Sequence, residues 1–453
     1  MDTIKMLYGD RLDEQIELLA HHALHAELWE RALPYLRQAA AKASSRWAFR
    51  EAARYLELAL DAVGRLPERD DLVGEEIDIR LDLRTALTPA AQFKRIAEVI
   101  TGAITLAERI GDRRRLAWAF AYHAFISIER CEQRQALESG RRALALAEQI
   151  GEPALTAIAR YFLMAVHHTL ANYQEAIEVG RPALEIGDDV VVKAVAKGLY
   201  SAIPHYLLFS LAEVGSFAEA IADGDLMLRR AEAAGNPFAI ALVCVGFGYA
   251  HARCGSAAKA IPLLERALQL CRTYAIDIQI PWTASSLGLA YALAGHHQAG
   301  VEHAEHAIER ADALGITRYQ PLRVTLLSNA YLLAGRCEDA HAAAQRALEL
   351  ARRYQEKGPE AWALYLIAAS IAQFEPEDRK EVLDGYLAAL HLAEELEMRP
   401  LIAHCRLGMG QLHQRMGRLS EARAEFSRAT EMYRQMDMQF YLKQSEVELK
   451  ALH

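Results

Sequence analysis

The stretch Pro281-Trp282-Thr283-Ala284-Ser285-Ser286-Leu287-Gly288-Leu289-Ala290-Tyr291-Ala292-Leu293-Ala294-Gly295 decides the fold. Its apolar residues recur at three- and four-residue spacing, the pattern of an amphipathic helix. Pro281 suits a first helical turn, where its missing N–H leaves no bond unmade. Gly295 suits the position just past the helix, where the backbone turns left-handed. A second helix follows, with Val301, Ala304, Ala307 and Ile308 on one face, and Gly315 ends it before Pro321 opens the next unit. Gly288, Gly300 and Ala307 are small, as two closely approaching antiparallel helices require.

Outward from this unit the same slots return. Gly215, Gly255, Gly295 and Gly335 are each 40 residues apart; after a two-residue slip the slot falls at Glu377, and then at Gly417. Five residues on stand Ala220, Ala260, Gly300, Ala340, Val382 and Ala422, and seven further Met227, Ala267, Ala307, Ala347, Ala389 and Ala429. Prolines 153, 237, 281, 321, 359 and 400 mark helix starts in a compatible register. A period of this size predicts stacked helical hairpins, an all-α, right-handed solenoid of about twenty helices. The break Gly64-Arg65-Leu66-Pro67-Glu68-Arg69-Asp70-Asp71 divides the chain into N-terminal hairpins over 1–66, a divergent helical region over 67–130 and the repeat solenoid over 131–453.

The 453 residues are 52% hydrophobic and 25% charged, with a net charge of -9, which fits a folded chain. No long basic face is present, so no nucleic-acid partner is expected. No run of 18 apolar residues occurs, so no membrane span is expected. The opening MDTIKMLYGDRLDEQ lacks a signal-peptide core, so a cytoplasmic location is expected. Cys131, Cys244, Cys254, Cys271, Cys337 and Cys405 form no CxxC pair and read as free buried thiols.

The repeat unit resembles the tetratricopeptide repeat. Leu287, Gly288, Tyr291, Gly295, Gly300, Ala304 and Ala307 sit at matching offsets, as do Gly410, His413, Gly417, Ala422, Phe426 and Ala429. The family's usual period is 34, so this is an extended version, and the match runs over roughly 130–450. The stretch DRLDEQIELLAHHALHAELWERALPYLRQAAAKASSRWAFREAARYLELAL resembles the start of the helical-repeat tail of bacterial signalling ATPases, many of which carry a class III cyclase domain upstream. The matching residues are Leu12, His21, His22, Ala23, Trp29, Ala32, Leu36, Ala39, Ala40, Arg50, Glu51 and Ala52, and the resemblance implies that they pack successive hairpins. No GxxxxGK[ST] phosphate loop and no cyclase-like or kinase-like segment is present, so the nucleotide chemistry of those proteins does not carry over.

Two histidine groups, His21, His22 and His25, and His296, His297, His303 and His306, read as ordinary helical histidines, because zinc needs three or four converging ligands. No catalytic residue, metal site or cofactor is expected, and the chain reads as no enzyme. The candidate surface is the concave face lined by first helices. One stripe along it is Phe209, Tyr249, Leu289 and Asn329, and its neighbour is His205, Val245, Ser285 and Thr325. Trp282 and Trp362 supply aromatic anchors and Arg253 a charge. Phe209 and Tyr249, one repeat apart, should point the same way; if both are partly exposed they form an aromatic ledge for a partner, and if Tyr249 is core they pack between hairpins. The reading is a non-catalytic interaction module, the regulatory or sensory tail of a signalling ATPase or cyclase. Its partner is a protein or peptide segment in the groove, with an upstream catalytic domain as one such partner and the oligomeric state left open. A free-standing scaffold and the small-molecule-sensing domain of a transcription activator are the alternatives.

Overall fold

The structure, a computed structural model, describes residues 15–67, 69–196, 203–374 and 379–452. Leu12 and Glu377 lie outside the described residues. Within them the chain forms 23 α-helices and no strand. In chain order these are α1 (Ile16–His25), α2 (Trp29–Ser45), α3 (Phe49–Gly64), α4 (Asp70–Leu87), α5 (Phe93–Ile110), α6 (Arg113–Glu129), α7 (Gln133–Ile150) and α8 (Pro153–Thr169). There follow α9 (Tyr173–Gly180), α10 (Asp188–Ala196), α11 (Tyr206–Val214), α12 (Phe217–Ala233), α13 (Pro237–Arg253), α14 (Ala257–Thr273), α15 (Ile280–Leu293) and α16 (His297–Leu314). The last are α17 (Gln320–Leu333), α18 (Cys337–Tyr354), α19 (Lys357–Phe374), α20 (Arg379–Glu395), α21 (Arg399–Arg415), α22 (Leu419–Gln435) and α23 (Gln439–Lys450).

The rhythm of the chain is set by left-handed residues at helix ends. Gly215, Gly235, Gly255, Gly295, Gly315 and Gly335 have positive φ, and so do Ala275 and Gln355. Each helix and its turn therefore take twenty residues, half the period read from the glycines. The same spacing runs through Ala91, Gly111, Cys131, Gly151 and Ala171, and again through Glu397, Gly417 and Asp437. At Gly295 the closure is a Schellman turn: the Gly295 amide donates to Ala292 O and the His296 amide to Tyr291 O, at 3.1 and 2.9 Å.

The chain divides into two compact units. The first takes the described residues up to Ser127, together with Arg134–Phe162 and Tyr274–Ile278. Its hairpins bury alanines and branched aliphatics, as in the cluster Val73, Ile77, Ala103, Ala107 and Ala119. Of the residues matched to signalling-ATPase tails, Ala23, Ala32, Leu36, Ala39, Ala40 and Ala52 are buried between hairpins. His21, His22, Arg50 and Glu51 are exposed instead, which corrects their expected packing role. Arg84 is buried in this unit, its guanidinium 4.1, 4.7 and 5.1 Å from the rings of Tyr122, Phe125 and Phe162.

The second unit takes Ile128–Gln133, Leu163–Thr273 and the chain from Gln279 onward. It has two layers. First helices α11, α13, α15, α17, α19 and α21 touch in succession, and each packs on its own second helix, α12, α14, α16, α18, α20 or α22. The second helices are buried on one face only. The first helices are wrapped: every residue of α13 except Ile240 is buried, and its composition is apolar nearly all round, as such a position demands. Gly288 and Gly300 explain the closest contact. A Cβ built on Gly288 meets Gly300 O at 2.6 Å, and one built on Gly300 meets Gly288 O at 2.7 Å, so α15 and α16 touch backbone to backbone.

Candidate functional site

The layer of first helices closes on itself, with α11 touching α21. Trp362 Nε1 donates to Glu213 Oε2 at 2.9 Å across 149 residues of sequence, and Arg318 Nη1 donates to Glu129 Oε1 at 2.8 Å across 189. The inner face is thus a packed interior. Phe209 is 2% exposed and Tyr249 1%, which removes the ledge and leaves the core alternative: both rings are packed inside. The two rings meet edge to face at 5.4 Å. His205, Val245, Arg253, Trp282, Ser285, Leu289, Thr325 and Trp362 are buried as well, while Asn329 is half-buried.

Two ionic groups lie within this interior. In one, the Tyr249 hydroxyl donates to Glu213 and accepts from Arg253 Nε at 2.8 Å. Glu213 and Arg253 occupy the same slot in neighbouring repeats, 3.4 Å apart, and the Arg253 guanidinium stands 3.9 Å from the Trp362 ring. In the other, Arg318 donates from Nη1 to the Tyr206 hydroxyl at 2.9 Å and from Nη2 to the Tyr319 hydroxyl at 2.7 Å, besides its bond to Glu129. Arg323 donates to Arg318 O and Ile316 O at 2.6 and 2.7 Å, which holds the turn that carries Arg318. Phe209, Tyr249, Trp282 and Tyr319 join the two groups, with ring centres 4.8–5.5 Å apart from Tyr249 through Trp282 to Tyr319.

Sequence reasoning missed Glu129, Glu213, Arg318, Tyr319, Arg323 and Glu356. A readable signal existed for Glu213, the one charged residue in the mostly apolar helix YLLFSLAEV. Glu356 is 2% exposed, and its Oε1 has no hydrogen-bond partner among the described residues. Burial drives its carboxyl up to about 8, against the pull of Arg318 and Arg323. Burial likewise pushes His168 and His205 down to about 3, with Arg318 adding to the effect on each. Arg318 is held firmly charged by Tyr206, Tyr319 and Glu129 despite its burial. Arg253 Nη2, Arg318 Nε, Arg323 Nε, Trp282 Nε1 and the Ser285 and Ser286 hydroxyls are also buried without partners among the described residues.

The six cysteines are free, four of them buried and Cys131 and Cys337 half-buried. His21, His22, His25, His296, His297 and His306 are exposed and His303 half-buried. Among the described residues no helix is long and apolar enough to cross a membrane.

This architecture is that of a tetratricopeptide-like α-solenoid. No family model matches the chain, and no curated protein matches it. Solved structures do. A Rap protein complexed with Competence and Sporulation Factor aligns over 85% of this chain and 99% of its own, with a TM-score of 0.58 and 13% identity. A signal-transduction ATPase with numerous domains and a tetratricopeptide repeat sensor, from Pyrococcus horikoshii, aligns over 84% of this chain and 55% of its own, with a TM-score of 0.46 and 12% identity. At these identities the likeness to the Rap protein is one of fold.

Proposed function

We propose that this chain is a non-catalytic interaction module that binds a protein or peptide segment on the inner face of its second unit. The observation that carries this reading is the set of buried, unpartnered polar atoms on that face: Glu356 Oε1, Arg253 Nη2, Arg318 Nε, Arg323 Nε and Trp282 Nε1. Each costs roughly 1–3 kcal/mol when left unpaired, more where it is charged. Ion pairs in such a setting stabilise a fold no better than apolar residues of the same size. A segment that supplies the missing partners gains what the closed interior forgoes. Entry requires the contacts between α11, α19 and α21 to part, so the partner acts by preferring the opened arrangement. The Rap protein's complex with Competence and Sporulation Factor supports the reading at the level of fold.

The finer role is that of a regulatory or sensory tail of a signalling ATPase or cyclase. It rests on the resemblance of the first 65 residues to such tails. Opening of the second unit would then bias an attached catalytic domain.

The test is retention of a synthetic random octapeptide pool on the immobilised full chain, read by mass spectrometry. Retained peptides that are lost when Arg318→Gln is introduced support the reading. A pool that passes through wild-type protein unretained removes it.

A further inference from the structure

Glu356 stands where other repeats carry an apolar residue. The corresponding positions are Ile276, Ile316, Met398 and Met438, all buried. Asn236, one further repeat back, is polar but satisfied: its Oδ1 accepts the Ala239 amide at 3.0 Å and its Nδ2 donates to Val195 O at 2.8 Å. Glu356 caps nothing with its side chain. Its backbone is fixed by the Schellman closure of α18, in which the Glu356 amide donates to Ala351 O at 2.9 Å. Packing alone would place Ile or Met here, and a residue that breaks the local rule without local compensation points to function.

The side chain lines a cavity within the second unit, with Glu213, His168, Tyr173, Tyr319 and Trp362 on its other walls. The cavity measures about 10 Å3, on a scale where roughly 10–15 Å3 holds one water. An ammonium group is of that size. Glu213 on the far wall is already bonded to Tyr249, Arg253 and Trp362, and Arg253 and Arg318 lie 3.9 and 4.4 Å from the Trp362 and Tyr319 rings. The free acceptor is Glu356 Oε1, and an ionised Glu356 beside the Tyr173 ring is what would hold a compact cation there. No arginine or lysine lines it. Gly358 keeps the floor open: a Cβ there would collide with the Tyr173 hydroxyl.

We propose that this cavity is a subsite for a primary ammonium group of the bound segment, either a lysine side chain or a free amino terminus. The proposal rests on the inner-face reading above and adds the chemistry of the ligand. One donor of an ammonium fits the free Oε1 of Glu356, and the Tyr173 ring covers part of its remaining face. Arg318 and Arg323 stay engaged with Glu129, Tyr206, Tyr319 and backbone carbonyls, so the incoming charge needs Glu356 ionised to balance it.

The experiment has two arms, both on the full chain. In the first, methylammonium chloride is titrated against the protein by calorimetry, with sodium chloride and methanol as controls. Saturable heat with methylammonium alone is expected, weakened about tenfold or more in Glu356→Gln, which keeps the shape and cannot ionise. Equal response to sodium, or an unchanged response in Glu356→Gln, overturns the subsite. A circular-dichroism melt beside the titration reports whether Glu356→Gln folds; if it does not, the contrast between methylammonium and methanol on wild-type protein decides alone. In the second arm the random octapeptide pool is offered free and N-acetylated. Enrichment of lysine in both pools assigns a side chain, and enrichment lost on acetylation assigns the amino terminus. Retained peptides with neither preference overturn the subsite and leave the inner-face reading standing, whereas no retention beside saturable methylammonium binding overturns the inner-face reading instead.

Discussion

Changing Tyr249 separates the packed interior from an exposed ledge. The ring is 1% exposed and touches Phe209 at 5.4 Å and Trp282 at 5.5 Å between ring centres. Its hydroxyl bridges Glu213 and Arg253, both buried. Tyr249→Phe keeps the ring and deletes two bonds to charged groups, each worth about 1.5–3 kcal/mol. Relaxation of Arg253 toward Glu213 recovers part, so a net loss of about 2–3 kcal/mol is expected. Tyr249→Ala adds the lost ring and its cavity, about 3–5 kcal/mol for an aromatic in a core. The assay is urea unfolding followed by circular dichroism, with the midpoint compared at equal slope. A Tyr249→Phe variant as stable as wild type would show that the bridge is not made. A stable Tyr249→Ala variant with weakened partner binding would restore the exposed ledge and refute the closed interior.

Three further outcomes follow from the same structure. Gly288→Ala and Gly300→Ala each force α15 and α16 apart and should cost about 1–3 kcal/mol; thermal melts of the two variants check it. Stability should peak near pH 6.5. His168, His205 and His404, held near 3, and His251, held near 4, are neutral in the fold and take up protons on unfolding, so stability falls as pH drops below 6.5. Glu356, raised to about 8, keeps its proton in the fold and loses it on unfolding above its ordinary 4.5. Its contribution therefore fades between pH 4.5 and 8, by at most about 1.4 kcal/mol per pH unit, and Glu356→Gln should flatten that alkaline limb. The purified chain should neither hydrolyse ATP nor form cyclic nucleotides, for want of a phosphate-cradling loop; turnover that survives repurification contradicts this.

The glycine register carried the architecture because Gly is the residue that takes a left-handed turn at least cost. It showed only alternate turns over much of the chain. Of the intervening turns only those at Gly235 and Gly315 carry glycine; the rest are held by Ala275, Gln355, Glu397 and Asp437, and earlier by Ala91, Cys131 and Ala171. The twenty-residue rhythm was therefore hidden, most of all before residue 130. The inner-face positions were legible from the period, since Phe209, Tyr249, Ser285 and Thr325 all lie on first helices turned inward. Their burial was not. It depends on bonds such as Trp362 to Glu213 and Arg318 to Glu129, which join residues 149 and 189 positions apart. Local spacing cannot report such closure. The all-apolar surround of α13 was the available hint, because a helix with one face in water would not be apolar nearly all round.

Hydrogen–deuterium exchange on the full chain, with and without the peptides it retains from the random pool, tests the central claim most directly. The inner-face account predicts that the exchange of α11, α13, α17 and α19 changes on binding, with the largest changes at the turns carrying Arg318 and Glu356. Changes confined to the outward faces of α12, α14, α16 and α18, with the first helices untouched, would contradict it.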